Sequence, residues 1–241
     1  MERQSSDVDS VMAAAASPDA SNLLMQLKAP LEVLTAAAWQ LSRAGVHQSI
    51  VALLAYGNAV NVNIEQSCRR GGLSGTSLLT AAAQSSNAVR GGLERDGTAE
   101  DAVAKTVKFL VEAGAPLNFR GAQSFTPLHH ACMAGWSLAV QVLLAAGADT
   151  EAETAAFDNS LHLACIGGHV EVVQILLNSS DAPALVQCTN ADGWAPLHLA
   201  ILHARLEGDS QIQRELNTQR MVGLLLASGA ALDLVRQASR S

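Results

Sequence analysis

Apolar residues recur along this chain in a fixed triplet. Ile50/Leu53/Leu54, Val107/Leu110/Val111, Val140/Leu143/Leu144, Val173/Leu176/Leu177 and Val222/Leu225/Leu226 all follow the i, i+3, i+4 spacing. That spacing puts three side chains on one face of a helix. Three residues beyond each triplet stands Gly57, Gly114, Gly147, Ser180 or Gly229, and glycine is what a helix ending in a left-handed residue requires. Ser180 breaks the rule and is followed by a longer loop, so the fourth of these helices is expected to end differently. The pattern predicts a chain of five helical units. None of them could hold together alone: burying one aliphatic side chain is worth roughly 1.5–3 kcal/mol, largely offset by conformational entropy.

A second recurrence marks the first half of each unit. Thr126-Pro127-Leu128-His129 returns 33 residues later as Asn159-Ser160-Leu161-His162, and again as Ala195-Pro196-Leu197-His198. With Gly147-Ala148-Asp149 closing one unit, and Ser160 to Cys165 followed by Gly167-Gly168-His169-Val170 in the next, the chain resembles the ankyrin-repeat family, whose signature is T-P-L-H-x-A at a period of about 33 residues. Thr76-Ser77-Leu78-Leu79-Thr80-Ala81-Ala82 keeps the shape with leucine in place of histidine, and Ala36 to Gly45 keeps only small residues and the glycine. The resemblance implies an all-α solenoid of stacked helix-turn-helix units with β-hairpin finger loops.

Unit openings fall at 36, 76, 126, 159 and 195, so extra residues sit at particular places. Gln84–Glu100 and Ala204–Leu216 are polar, lack a long apolar stripe, and read as surface loops between the two helices of their units. The expected organisation is a disordered tail over 1–20, a repeat domain over 21–235 and a tail over 236–241. Ser21–Ala29 is a candidate capping helix, and the units run approximately 30–63, 74–118, 124–151, 157–188 and 193–233.

Composition narrows the choice of function. Hydrophobic residues make up 49% of the chain and aromatic residues only 3%, which suits closely spaced helices with aliphatic contacts. A formal net charge of −7 with no basic stripe argues against nucleic-acid binding. No run of about 18 apolar residues suggests a membrane span. The polar, acid-bearing start MERQSSDVDS lacks a secretory pattern, so cytoplasm or nucleus is the expected address, and a monomer the expected state of the chain alone. Phosphate-loop, nucleophile-elbow, zinc-protease and calcium-loop motifs are all missing.

His129/Cys132 and His162/Cys165 stand at i, i+3, a spacing that can chelate a metal. Both pairs occupy one repeat phase, where the family resemblance implies a hydrogen-bonding histidine and a small buried residue. Successive units would hold the pairs apart by the ~8–10 Å between packed helix axes, too far for one tetrahedral centre. The expectation is therefore structural histidines and cysteines, no cofactor, no metal site and no catalytic residue.

Of four Phe, three Trp and one Tyr, the residues Phe119, Phe125, Trp136, Phe157 and Trp194 cluster between positions 119 and 194. The resemblance implies a concave binding surface made of finger tips and first helices. By repeat phase it comprises Arg120, Gln123, Phe125, His130, Met133, Trp136, Glu153, Phe157, Ile166, Trp194 and Leu202. Exposed aromatics and arginine commonly anchor protein interfaces. Arg120 and Arg205 among many acids suggest no groove of single sign. The function implied is non-catalytic binding of a partner protein, as adaptor, scaffold or inhibitor. The alternative is a structural subunit of a larger assembly, anchored through 84–100 and 204–216.

Overall fold

The computed structural model describes residues 2–16, 37, 78–83, 97–203 and 211–230. The candidate helix over 21–29, most of the first unit with its triplet at Ile50, the start of the first insertion at 84–96, residues 204–210 of the second and the tail over 236–241 lie outside them. The chain divides into two compact units, Met1–Ala122 and Gln123–Ser241.

In the first unit, helix α1 covers Glu2–Ala15, where a disordered tail was expected. Val11, Ala14 and Ala15 are buried at the i, i+3, i+4 spacing of a helical face, and the alanine-rich end has high helix propensity. The charged opening residues masked that stripe. Helices α2 (Leu78–Ala83) and α3 (Gly97–Glu112) pack together. Val103, Thr106, Val107 and Leu110 form the buried face of α3. Residues 97–100, read as loop, belong to this helix.

The second unit is a double row. Inner helices α4 (Pro127–Ala134), α6 (Ser160–Gly167) and α9 (Pro196–His203) pack in that order. Outer helices α5 (Ser137–Ala145), α7 (Val170–Leu177) and α10 (Gln211–Ala227) do the same. The core lies between the rows, with Leu128, Leu161 and Leu197 from one side and Leu143, Leu176 and Leu225 from the other. In α7 the first two members of the triplet are buried and the third is half-buried, and the same holds in α3 and α5. In α10 the burial shifts by one residue: Thr218, Met221 and Leu225 point inward while Leu226 is exposed. Residues 211–216, assigned to a loop, are helical. Gln, Arg, Glu and Leu are good helix formers, and packing of the later turns of α10 carries the earlier ones.

The sequence punctuation acts as expected where glycine is present, with Gly147 and Gly229 left-handed at φ 88° and Gly114 at 83°. At Ser180 the chain instead leaves α7 through right-handed Asn178 (φ −86°) and enters a short extra helix, α8 (Ala182–Gln187). The finger segments contain no strand among the described residues. Each is a tight turn held by isolated backbone bonds, too short to build a ladder.

Candidate functional site

The fingers are positioned by the recurring histidine. Thr126 caps α4, its hydroxyl accepting from the His129 N–H at 3.3 Å, while His129 Nδ1 accepts from the Thr126 N–H at 3.1 Å. Asn159 and His162 repeat the arrangement at α6. An Nδ1 that accepts leaves the proton on Nε2, and that nitrogen donates into the following unit. His129 Nε2 reaches the Ala152 carbonyl at 2.9 Å and His162 Nε2 the Trp194 carbonyl at 3.0 Å. One neutral imidazole thus closes its own helix and fixes the next finger. Burial holds the His162 pKa below its ordinary value, against the opposing pull of the Trp194 carbonyl and Asp158. At α9 the cap position is Ala195, so only the His198 half of the box remains.

The fingers also join each other. The Ala155 N–H donates to the Gln123 carbonyl at 2.8 Å and the Ala191 N–H to the Ala156 carbonyl at 2.9 Å. The Asn190 side-chain amide donates to Asp158 at 2.9 Å. Two residues before each cap the chain turns left-handed, at Ser124 (φ 61°), Phe157 (φ 59°) and Gly193 (φ 76°). A non-glycine residue pays about 1–2 kcal/mol for that conformation. Phe157 is nevertheless 55% exposed, so more than half of its surface is left unpacked against that strain in the free protein.

Phase also sets out the inner face. Met133, Ile166 and Leu202 stand at equivalent positions near the ends of α4, α6 and α9, and all three are exposed. A histidine of the next unit engages the first two of these helix ends: His169 Nε2 meets the Met133 carbonyl at 3.0 Å, and His203 Nδ1 the Ile166 carbonyl at 3.2 Å. Close contact demands glycine beneath these rings. A Cβ on Gly167 would meet the His169 ring and the Met133 carbonyl, and one on Gly168 would overlap His203.

Several expected site residues fall elsewhere. Trp136 is 3% exposed and is part of the core, not of the binding surface. It lies four residues before Val140 and seven before Leu143, the same phase as Val103 and Thr218, both buried. Phe125 folds back on α4, its ring 4.9 Å from that of His130 and edge-on to His129 at 5.9 Å. His130 is half-buried, and burial together with neighbouring His129 lowers its pKa to about 4. Glu153 is half-buried, Gln123 is exposed in a left-handed turn (φ 53°), and Arg120 is exposed within the first compact unit. Ile201 is exposed and was missed. Its phase-mates Cys132 and Cys165 are fully buried, but no further inner helix packs on α9 among the described residues.

The two cysteines sit in the core, and burial pushes both thiols far above their ordinary range. Both ring nitrogens of His129 and of His162 are engaged with backbone groups. Among the described residues no group of three His, Cys, Asp or Glu gathers as a metal cage would require, and no helix is long and apolar enough to cross a membrane.

A histidine that caps one helix and bonds the next finger, repeated at a period of 33 residues, has a counterpart among known families. The family model for ankyrin repeats, in three copies, matches residues 139–230, and a single-repeat model of the same family matches residues 123–152. Residues 123–230 carry ankyrin repeats. The two earlier expected units lie before the matched range. No curated protein matches the chain. Ankyrin repeats are generally protein-interaction modules and are typically non-catalytic, which gives the exposed finger and inner-helix residues their functional context.

Proposed function

We propose that the chain is a non-catalytic adaptor, scaffold or inhibitor that grips a partner protein through the finger tips and the exposed side of the inner helices. The residues that carry the contact are Phe157 and Trp194 on the fingers and Met133, Ile166 and Leu202 on the helices. The observation that carries this reading is Phe157. A large aromatic ring that stays more than half exposed on a left-handed backbone leaves that cost at most partly offset within the free protein, and such strain belongs with function. Burying that ring and its aliphatic neighbours against a partner supplies the missing contact.

The test compares capture from native lysate by the wild-type chain and by a Phe157→Ala/Ile166→Ala/Trp194→Ala variant, once both show equal helicity and melting temperature. A partner held by the wild type and lost by the variant supports the assignment. A partner retained equally sinks it and moves the contact to Gln84–Glu100 and Ala204–Leu216.

A further inference from the structure

The second and third fingers are closed by the same five-residue turn, and in each a single side chain completes the closure. In the second, the Thr154 N–H donates to the Asp158 carbonyl at 3.0 Å and the Phe157 N–H to the Thr154 carbonyl at 2.9 Å. Across the turn, the Thr154 hydroxyl oxygen accepts from the Ala156 N–H at 3.3 Å and from the Asp158 N–H at 3.1 Å. The third finger repeats each bond with Asn190 in the place of Thr154. Its N–H donates to the Trp194 carbonyl at 3.0 Å, and the Gly193 N–H donates to its carbonyl at 2.9 Å. Its side-chain oxygen accepts from the Asp192 and Trp194 N–H groups at 3.1 and 2.9 Å. Two chemically different residues thus perform one task, gathering the backbone donors two and four positions ahead.

The task matters more at Thr154. Its turn holds Phe157 at φ 59°, where the third finger has glycine. Left to itself, phenylalanine prefers right-handed or extended backbone, which would swing the ring away from its present direction. Two ordinary hydrogen bonds are of the same order as that preference, so the hydroxyl is enough to decide which backbone state the finger occupies. Thr154 itself is 5% exposed. The hydroxyl lies beneath the face, out of a partner's reach, and acts on binding only through the turn.

We propose that Thr154 is a positioning residue for partner binding: its hydroxyl holds the Phe157 ring in the binding orientation before the partner arrives. The proposal rests on the binding face described above and names the residue that keeps it ready. Where only a fraction of free chains has the ring in place, apparent affinity falls by that fraction. It falls through the association rate, because the bound complex is unchanged.

The probe is a peptide selected on the full chain from a phage-displayed random library, kept only if Phe157→Ala abolishes its binding. Association and dissociation rates are then measured for the wild type, Thr154→Val and Thr154→Ser. Valine keeps the shape and removes the acceptor, whereas serine keeps the hydroxyl. Thr154→Val slows association about tenfold with dissociation unchanged, and Thr154→Ser restores the wild-type rate. Unchanged association in Thr154→Val, a change confined to dissociation, or no recovery with serine overturns the role of Thr154 and leaves the face standing. If no selected peptide depends on Phe157, the face and the proposal fall together. Hydrogen exchange on the free wild-type chain tests the same point even if Thr154→Val does not fold. The Ala156 and Asp158 amides are protected in a closed turn, and exchange as fast as in an unstructured peptide overturns the proposal.

Discussion

The second and third fingers of the repeat unit meet one backbone demand with opposite residues. Both must turn left-handed two residues before the next inner helix; the third uses Gly193 and the second uses Phe157. Glycine adopts that conformation without penalty. Phenylalanine does not, and its ring faces solvent. The finger that carries strain is therefore the one that displays the more exposed anchor, while the unstrained finger displays Trp194 from an ordinary position one residue later. Stability and display are separable properties of the same turn, and substitutions can pull them apart.

The largest effect is expected where the two fingers are tied together. His162→Ala removes the cap on the Asn159 N–H and the donor to the Trp194 carbonyl, leaving buried polar groups unpaired at about 1–3 kcal/mol each. Chemical denaturation should show a loss of about 3 kcal/mol, with the third finger losing hydrogen-exchange protection first. Acid attacks the same histidine system more gently. His130 titrates at about 4 in the fold against an ordinary 6.5, and His162 is displaced in the same direction. The folded state favours their neutral forms, so their contribution is intact above pH 6.5 and is lost as pH falls from there toward about 4, by about 2 kcal/mol. Urea midpoints across that interval measure it, and a flat profile would contradict the partial burial of His130.

Smaller effects go the other way. Phe157→Gly should raise stability by about 1 kcal/mol while partner binding collapses, a pairing that calorimetry and a binding titration can read on one sample. A variant that loses both would show that the ring packs inward after all. Smallest of all, Ala195→Ser should complete the missing half of the α9 cap and add about 0.5–1 kcal/mol, bringing that helix into line with α4 and α6.

Much of this architecture can be read from the chain because its decisive residues repeat. The histidine positions, the buried pair of the triplets in α3, α5 and α7 and the glycine after α3, α5 and α10 appear at fixed offsets, and local chemistry enforces each of them. Side-chain destination is harder to read. Trp136 stands at the edge of a loop in sequence but at a core phase of α5, and counting back from Val140 would have found it. Phe125 could reach either solvent or His130, and the choice depends on a ring contact that no spacing encodes. The helix at Glu2–Ala15 hides behind its acidic first turns. The strain at Phe157 becomes visible only by aligning it with Gly193.

The histidine joints have a consequence for how such a chain can change length. Each joint uses the same two groups, a ring nitrogen on one unit and a backbone carbonyl on the next. The ring reaches the next finger at different depths, 23 residues on at His129 and 32 residues on at His162, and the second span contains the short extra helix α8. A finger can therefore lengthen between ring and carbonyl and still present a carbonyl to the ring, so the joint tolerates insertions shorter than a whole unit on the finger side of the stack.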